Sequence, residues 1–121
     1  MTGRTRWLAL SGAVAWALVL FLQSSSSDAG SFLGFLPDGS DKVLHAGAYA
    51  VLAGLLTLAT GRPLLAVVLA TAYGVTDEIH QSFVPGRDPS VGDLIADALG
   101  ATLGATLVAY LVRRDRRSPL E

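Results

Sequence analysis

Four long apolar runs divide this chain, and they constrain its fold more than anything else in it. The first, Trp7 to Leu22, holds sixteen residues without a charge. The second, Val43 to Thr60, holds eighteen, with His45 and Tyr49 as its only ionisable side chains. The third, Pro63 to Thr76, holds fourteen and leads directly into a polar cluster. The fourth, Leu94 to Val112, holds nineteen with a single charge, Asp97. A helix needs about 20 mostly apolar residues to cross a bilayer, with a range of about 17–25. The second and fourth runs meet that length as they stand. The first reaches it with Thr5 and Arg6, whose long side chain can snorkel. The third reaches it only if the helix continues through Asp77 to Gln81, which puts the polar cluster on the end of a helix.

Composition agrees. Only 16% of the 121 residues are charged and the mean hydropathy is +0.49, whereas a soluble domain carries about a quarter charged residues. The expected fold is all-α, a single membrane domain over residues 1–121 built as a four-transmembrane-helix bundle, with spans at about 6–22, 42–60, 63–81 and 93–112. The absence of cysteine excludes disulfides and thiolate metal sites. A net charge of −1 gives no footprint for nucleic acid.

The distribution of charge orients the bundle. With both termini in the cytoplasm, seven of the nine basic residues (Arg4, Arg6, Arg62, Arg113, Arg114, Arg116 and Arg117) lie inside, and eight of the ten acidic residues lie outside. That satisfies the positive-inside rule at both ends and predicts the inner (cytoplasmic) membrane, multi-pass, with Arg113–Arg117 against its anionic leaflet. The first run also has the form of a secretory signal peptide, with two arginines ahead of it and small residues after it, although no clean Ala-x-Ala site follows. Cleavage there would leave three spans. Between the first two runs, Gly30–Leu36 is too short to span and is expected to rest in the outer interface.

The polar residues follow a helical period. Asp41, His45 and Tyr49 are spaced i, i+4, i+8 on the second helix, so Asp41 is expected to orient His45. Tyr73, Asp77, His80 and Gln81 share a face of the third. Asp93 and Asp97 are one turn apart on the fourth, with Ser90 placed to cap it. All three groups sit at the outer ends of their helices. An ionisable side chain near the bilayer centre costs ~2.5–3.5 kcal/mol even on a lenient scale, so these faces are expected to turn inward into one outward-opening polar pocket. Below them, Ala46, Ala50 and Gly54 form a small-residue face, and Gly100 and Gly104 form another, which suits close helix packing.

Structural readings compete with functional ones at each position. Asp41 and Lys42 at a helix start are a cap and an interfacial anchor as readily as ligand contacts. Tyr49 can serve as an interfacial tyrosine, and His45 can bond a backbone carbonyl across the bundle and do nothing else. Ser82 sits on no nucleophile elbow. Glu78-Ile-His80 and Asp41-x-x-x-His45 match no closed metal spacing, so neither a metal nor another cofactor is expected.

Asp41-Lys-Val-Leu-His-Ala-Gly-Ala-Tyr49, Asp77-Glu-Ile-His-Gln-Ser-Phe-Val-Pro-Gly-Arg87 and Asp93-Leu-Ile-Ala-Asp-Ala-Leu-Gly100 together resemble the VanZ-like family of bacterial multi-span membrane proteins, whose namesake confers teicoplanin resistance. The resemblance covers about residues 41–104, and it is the joint pattern that is specific. This chain has Asp97 where the family usually has Asn. The resemblance implies Asp41, Lys42, His45, Tyr49, Asp77, Glu78, Gln81, Arg87, Asp93 and Gly100 as the shared positions, with His80 also common. It implies an envelope role with no established reaction. Two readings of the pocket stand beside a purely structural one. As a binding site, Asp41, Lys42, Tyr49, Asp77, Gln81, Arg87, Asp93 and Asp97 would hold membrane lipid or a lipid-linked or peptidoglycan-related ligand. As an enzyme, Glu78, His80 and His45 would supply acid–base chemistry.

Overall fold

A computed structural model describes residues 1–25, 40–86 and 88–118, apart from the side chains of Ser40 and Asp41. The calls made above on Gly30–Leu36, on Arg87 and on the Asp41 side chain lie outside the described residues. All regular structure among the described residues is helical. It comprises α1 (Gly3–Ser24), α2 (Ser40–Thr60), α3 (Pro63–Gln81) and α4 (Val91–Arg117).

Local signals set the helix ends. The Thr2 hydroxyl accepts from the Thr5 amide and caps α1, and the Ser90 hydroxyl accepts from the Asp93 amide at 3.1 Å and caps α4. Gly61 turns the chain between α2 and α3 at φ 69°, in the left-handed region that only glycine enters freely, and Pro63 opens α3. The outermost helices run past their apolar blocks. α4 continues to Arg117 rather than stopping at Val112, because Arg114, Arg116 and Arg117 in its last turn complement the carboxyl-end dipole.

Three helices are long and apolar enough to cross a membrane: Gly3–Ser24, Lys42–Thr60 and Val91–Arg117. α3 is not among them. Its last turns carry Asp77, Glu78, His80 and Gln81, and those residues dilute an otherwise apolar helix.

Inside and outside are reversed relative to a soluble bundle. The buried residues of α3 are Ala66, Ala70, Gly74, Asp77 and Gln81, and those of α4 are Asp93, Ala96, Asp97, Gly100, Ala101, Gly104 and Ala105. Large apolar side chains point outward instead, with Leu64 76% exposed and Leu103 69% exposed. Small residues inside and leucines outside suit a hydrocarbon surround, where close backbone packing replaces water exclusion as the force between helices.

α2 and α4 form the most extensive pairing. Gly100 lies against the backbone of Ala46 and Gly104 against that of Ala50, so closely that a methyl group at either glycine would overlap backbone atoms. The expected small faces do meet, two turns in register. α1 is fastened to this pair and to α3 by side chains donating to helix carbonyls. Trp16 Nε1 donates to the Ala48 carbonyl at 2.8 Å, and the Tyr73 hydroxyl donates to the Ala17 carbonyl. Trp16→Phe leaves a smaller aromatic ring in place and removes the first bond. It is expected to cost about 0.5–1.5 kcal/mol, read as a fall of a few degrees in the melting temperature in detergent. An unchanged melting temperature would show that the bond adds nothing.

Candidate functional site

The up-and-down path of the helices brings the amino ends of α2 and α4 and the carboxyl ends of α1 and α3 to one end of the bundle. At the opposite end, the Arg6 guanidinium lies beside the Gly61 turn. Among the described residues, Asp77, Glu78, Asp93 and Asp97 therefore gather at one end, while the arginines, with Asp115 among them, lie at the other.

His45 is the centre of the polar end. Its Nδ1 lies 2.9 Å from Asp97 Oδ1, and Asp97 is fully buried. The sequence spacing favours Asp41 as the partner of His45, but the described contact crosses from α2 to α4. Asp97 fits because Gly74 on α3 leaves room for it: a Cβ on Gly74 would stand 3.1 Å from Asp97 Oδ2. Glu78, one turn beyond Gly74, completes a trio. One nitrogen of His45 and one carboxylate oxygen each of Glu78 and Asp97 all lie within 4.8 Å of one another. Glu78 Oε2 accepts from the Ser90 amide at 3.2 Å, which ties the end of α3 to the start of α4.

A second group adjoins the first. The buried Tyr49 hydroxyl points at Asp77 Oδ2 at 3.4 Å, a long hydrogen bond. Leu20, Gln23 and Ser24 of α1, Leu44, His45, Ala48 and Tyr49 of α2, and Asp77 and Gln81 of α3 enclose a cavity of about 50 Å³. That space holds a few water molecules or one small polar group. Two of the lining residues carry a buried side-chain oxygen, Ser24 Oγ and Asp77 Oδ1, with no hydrogen-bond partner among the described residues. Asp77 and Gln81 are only 7% and 3% exposed, so both are committed to the interior.

At the rim, Lys42 Nζ donates to Asp93 Oδ1 at 2.8 Å. Because the Lys42 side chain is 49% exposed, the pair serves as much to orient as to stabilise. His80 stands apart from the trio. It stacks on Phe21 with ring centroids 4.6 Å apart, and its Nε2 lies 2.8 Å from Ser25 Oγ. It anchors α3 to α1 and does not share the space of Glu78 and His45. Of the positions singled out in the sequence, then, His45, Glu78 and Asp97 form one cluster, Tyr49, Asp77 and Gln81 line the adjoining cavity, and Lys42 and Asp93 pair at the rim. Ser24, Gln23 and Gly74 were not anticipated. Gln23 and Ser24 follow directly on the first apolar run with no charge or motif to single them out, and the role of Gly74 depends on Asp97 facing it from another helix.

No curated protein and no solved structure matches the chain. The family model for VanZ/LLP1 matches residues 7–113. That stretch takes in α2 and α3 whole, most of α1 and α4, and the residues of the polar end, well beyond the 41–104 over which the motifs alone carry the likeness. This chain belongs to the VanZ/LLP1 family.

Proposed function

We propose that this chain is a four-span protein of the bacterial cytoplasmic membrane, with both termini inside and the polar end facing outward. There it binds or modifies a component of the cell envelope. In this reading α3 crosses the membrane too. Its polar turns are sheltered by α1, α2 and α4, which removes the hydrocarbon penalty that its composition alone would carry. The orientation rests on the charge bias of the sequence.

The observation that carries the reading is the cavity between α1, α2 and α3, two of whose lining residues, Ser24 and Asp77, hold a buried oxygen without a partner among the described residues. Buried polar atoms without partners are rare and mark places where another molecule completes the bonding. At about 50 Å³ the cavity admits only part of a ligand. A lipid-linked molecule fits this geometry: a small polar group enters the cavity while the chain lies along the exposed leucines and valines. A link to glycopeptide (teicoplanin) resistance is what family membership adds.

An enzymatic reading is favoured by one contact. An imidazole held by a buried carboxylate, as His45 is held by Asp97, is a common arrangement for proton transfer. Glu78 would be its partner, and His80 takes no part.

Lipid and muropeptide mass spectrometry on cells with the intact protein, without it, and with Glu78→Gln tests both readings. A modified species that disappears with the protein and with Glu78→Gln at unchanged protein level supports the enzyme. A lipid-linked species that co-purifies with the intact protein but is not altered in cells supports binding. Neither difference, with Glu78→Gln merely lowering abundance, would leave the polar end as internal scaffolding and end the proposal.

A further inference from the structure

Among the described residues, each carboxylate of the trio has one oxygen without a donor. Asp97 is fully buried and its Oδ2 has no hydrogen-bond partner among the described residues; Glu78 Oε1 is buried and likewise unpartnered. Both belong to the cluster in which His45, Glu78 and Asp97 each bring a ligating atom within 4.8 Å of the others. Two anionic groups side by side in a sheltered interior are strongly disfavoured without a compensating charge. His45 addresses one oxygen of Asp97 and leaves the other bare.

From this we infer that His45, Glu78 and Asp97 bind a divalent transition-metal ion. The ligand set is one imidazole nitrogen and two carboxylates. That mixture suits Mn²⁺, Fe²⁺ or Zn²⁺ and suits Mg²⁺ and Ca²⁺ poorly, since those ions prefer all-oxygen surroundings. Metal–ligand bonds of about 2.0–2.2 Å place neighbouring ligand atoms about 3–4 Å apart, so side-chain rotation is enough to close the trio on an ion. The surroundings are those of a prepared site. The Ser90 amide holds Glu78 Oε2 and leaves Oε1 for the ion, the kind of outer contact that orients a ligand. Gly74 provides the space in which the Asp97 carboxylate sits.

Three protein ligands leave coordination positions open, and His45 also lines the cavity. On the proposed function above, the ion would receive a phosphate or carboxylate of the envelope ligand. That answers how a polar end that gathers four acids, Asp77, Glu78, Asp93 and Asp97, holds an anionic group.

The test uses the full-length protein in detergent, stripped with EDTA and titrated with Mn²⁺, Zn²⁺, Mg²⁺ and Ca²⁺. Bound metal is read by mass spectrometry and equilibrium dialysis, and stability by thermal unfolding. The expected result is about one Mn²⁺ or Zn²⁺ per chain, a higher melting temperature with metal, and binding of Mg²⁺ and Ca²⁺ weaker by about tenfold or more. Glu78→Gln, which keeps the shape of the side chain, and Asp97→Ala are expected to weaken binding by about tenfold or more. His80→Ala, on the α1 side, should bind as the parent does. No bound metal, or binding indifferent to Glu78→Gln, would overturn the inference. A separate arm measures retention of a lipid phosphate, using vesicles containing undecaprenyl phosphate, with and without EDTA. Retention that survives EDTA unchanged would remove the metal from ligand binding and leave the pocket reading intact. Metal binding without any lipid retention would do the reverse.

Discussion

Gly100→Val is expected to abolish the folded bundle. Gly100 faces the backbone of Ala46, and a single added methyl would overlap its carbonyl oxygen, carbonyl carbon and Cα. Backbone atoms in the middle of α2 cannot rotate out of the way as a side-chain tip can, so α2 and α4 must separate. The separation cannot stay local, because Gly104 rests on Ala50 one turn along the same interface in the same manner. Overpacking by a methyl or two in an ordinary core costs about 1–3 kcal/mol. A wedge between two helix backbones, in a membrane interface held by close packing, should reach or exceed the top of that range. A graded series tests the cause: Gly100→Ala intermediate, Gly100→Val most severe, and Gly104→Ala comparable with Gly100→Ala. Gly47→Ala is the control. Nothing lies within 4 Å of a Cβ built there, so it should be neutral or gain the modest helix propensity of alanine, up to about 1 kcal/mol. The readout is the fraction remaining monodisperse by size exclusion after heating in detergent. A Gly100→Val protein that melts with the parent would show that the α2–α4 approach does not hold the fold.

That interface was largely legible in the sequence, because Ala46, Ala50, Gly100 and Gly104 repeat at four-residue spacing and the repeat is a property of each helix alone. The same holds for the gathering of the polar ends, which follows from the alternating direction of the helices and the sign of their terminal charges. What the sequence could not supply was the pairing across helices. A spacing argument sees only partners on one helix, so it matched His45 with Asp41, whereas the described contact is with Asp97, 52 positions later. The expectation of no metal site weighed spacings within one helix, whereas the trio draws one residue from each of three. His80 shows the opposite limit. Grouping it with Asp77 by i, i+3 was reasonable, but at about 100° per residue Glu78 and His80 point roughly 160° apart around the helix. Once Glu78 turns toward α4, His80 must turn toward α1, where it meets Phe21 and Ser25. The third helix falls short of the apolar length needed to cross a membrane because a one-helix average counts Asp77, Glu78, His80 and Gln81 and ignores the helices they pack against.

His45→Leu alone is expected to be more damaging to stability than the double variant His45→Leu/Asp97→Ala. In the parent, the imidazole is the described partner of a fully buried carboxylate. Removing it leaves Asp97 with neither oxygen compensated and a second acid, Glu78, close by. Breaking a buried pair by deleting one member costs about 3–5 kcal/mol, while replacing both by apolar groups is often nearly neutral. Asp97→Ala added to His45→Leu should therefore recover most of the loss, less a small cavity term from the shorter side chain. Thermal unfolding of the parent, the two single variants and the double variant, all in the same detergent after EDTA treatment, closes the cycle and yields the coupling directly. Losses that simply add would show that His45 and Asp97 do not depend on each other. A stable double variant that has also lost metal and ligand binding would separate the two roles of the polar end: the charges there could be dispensed with for folding, so their presence would have to be explained by what they hold.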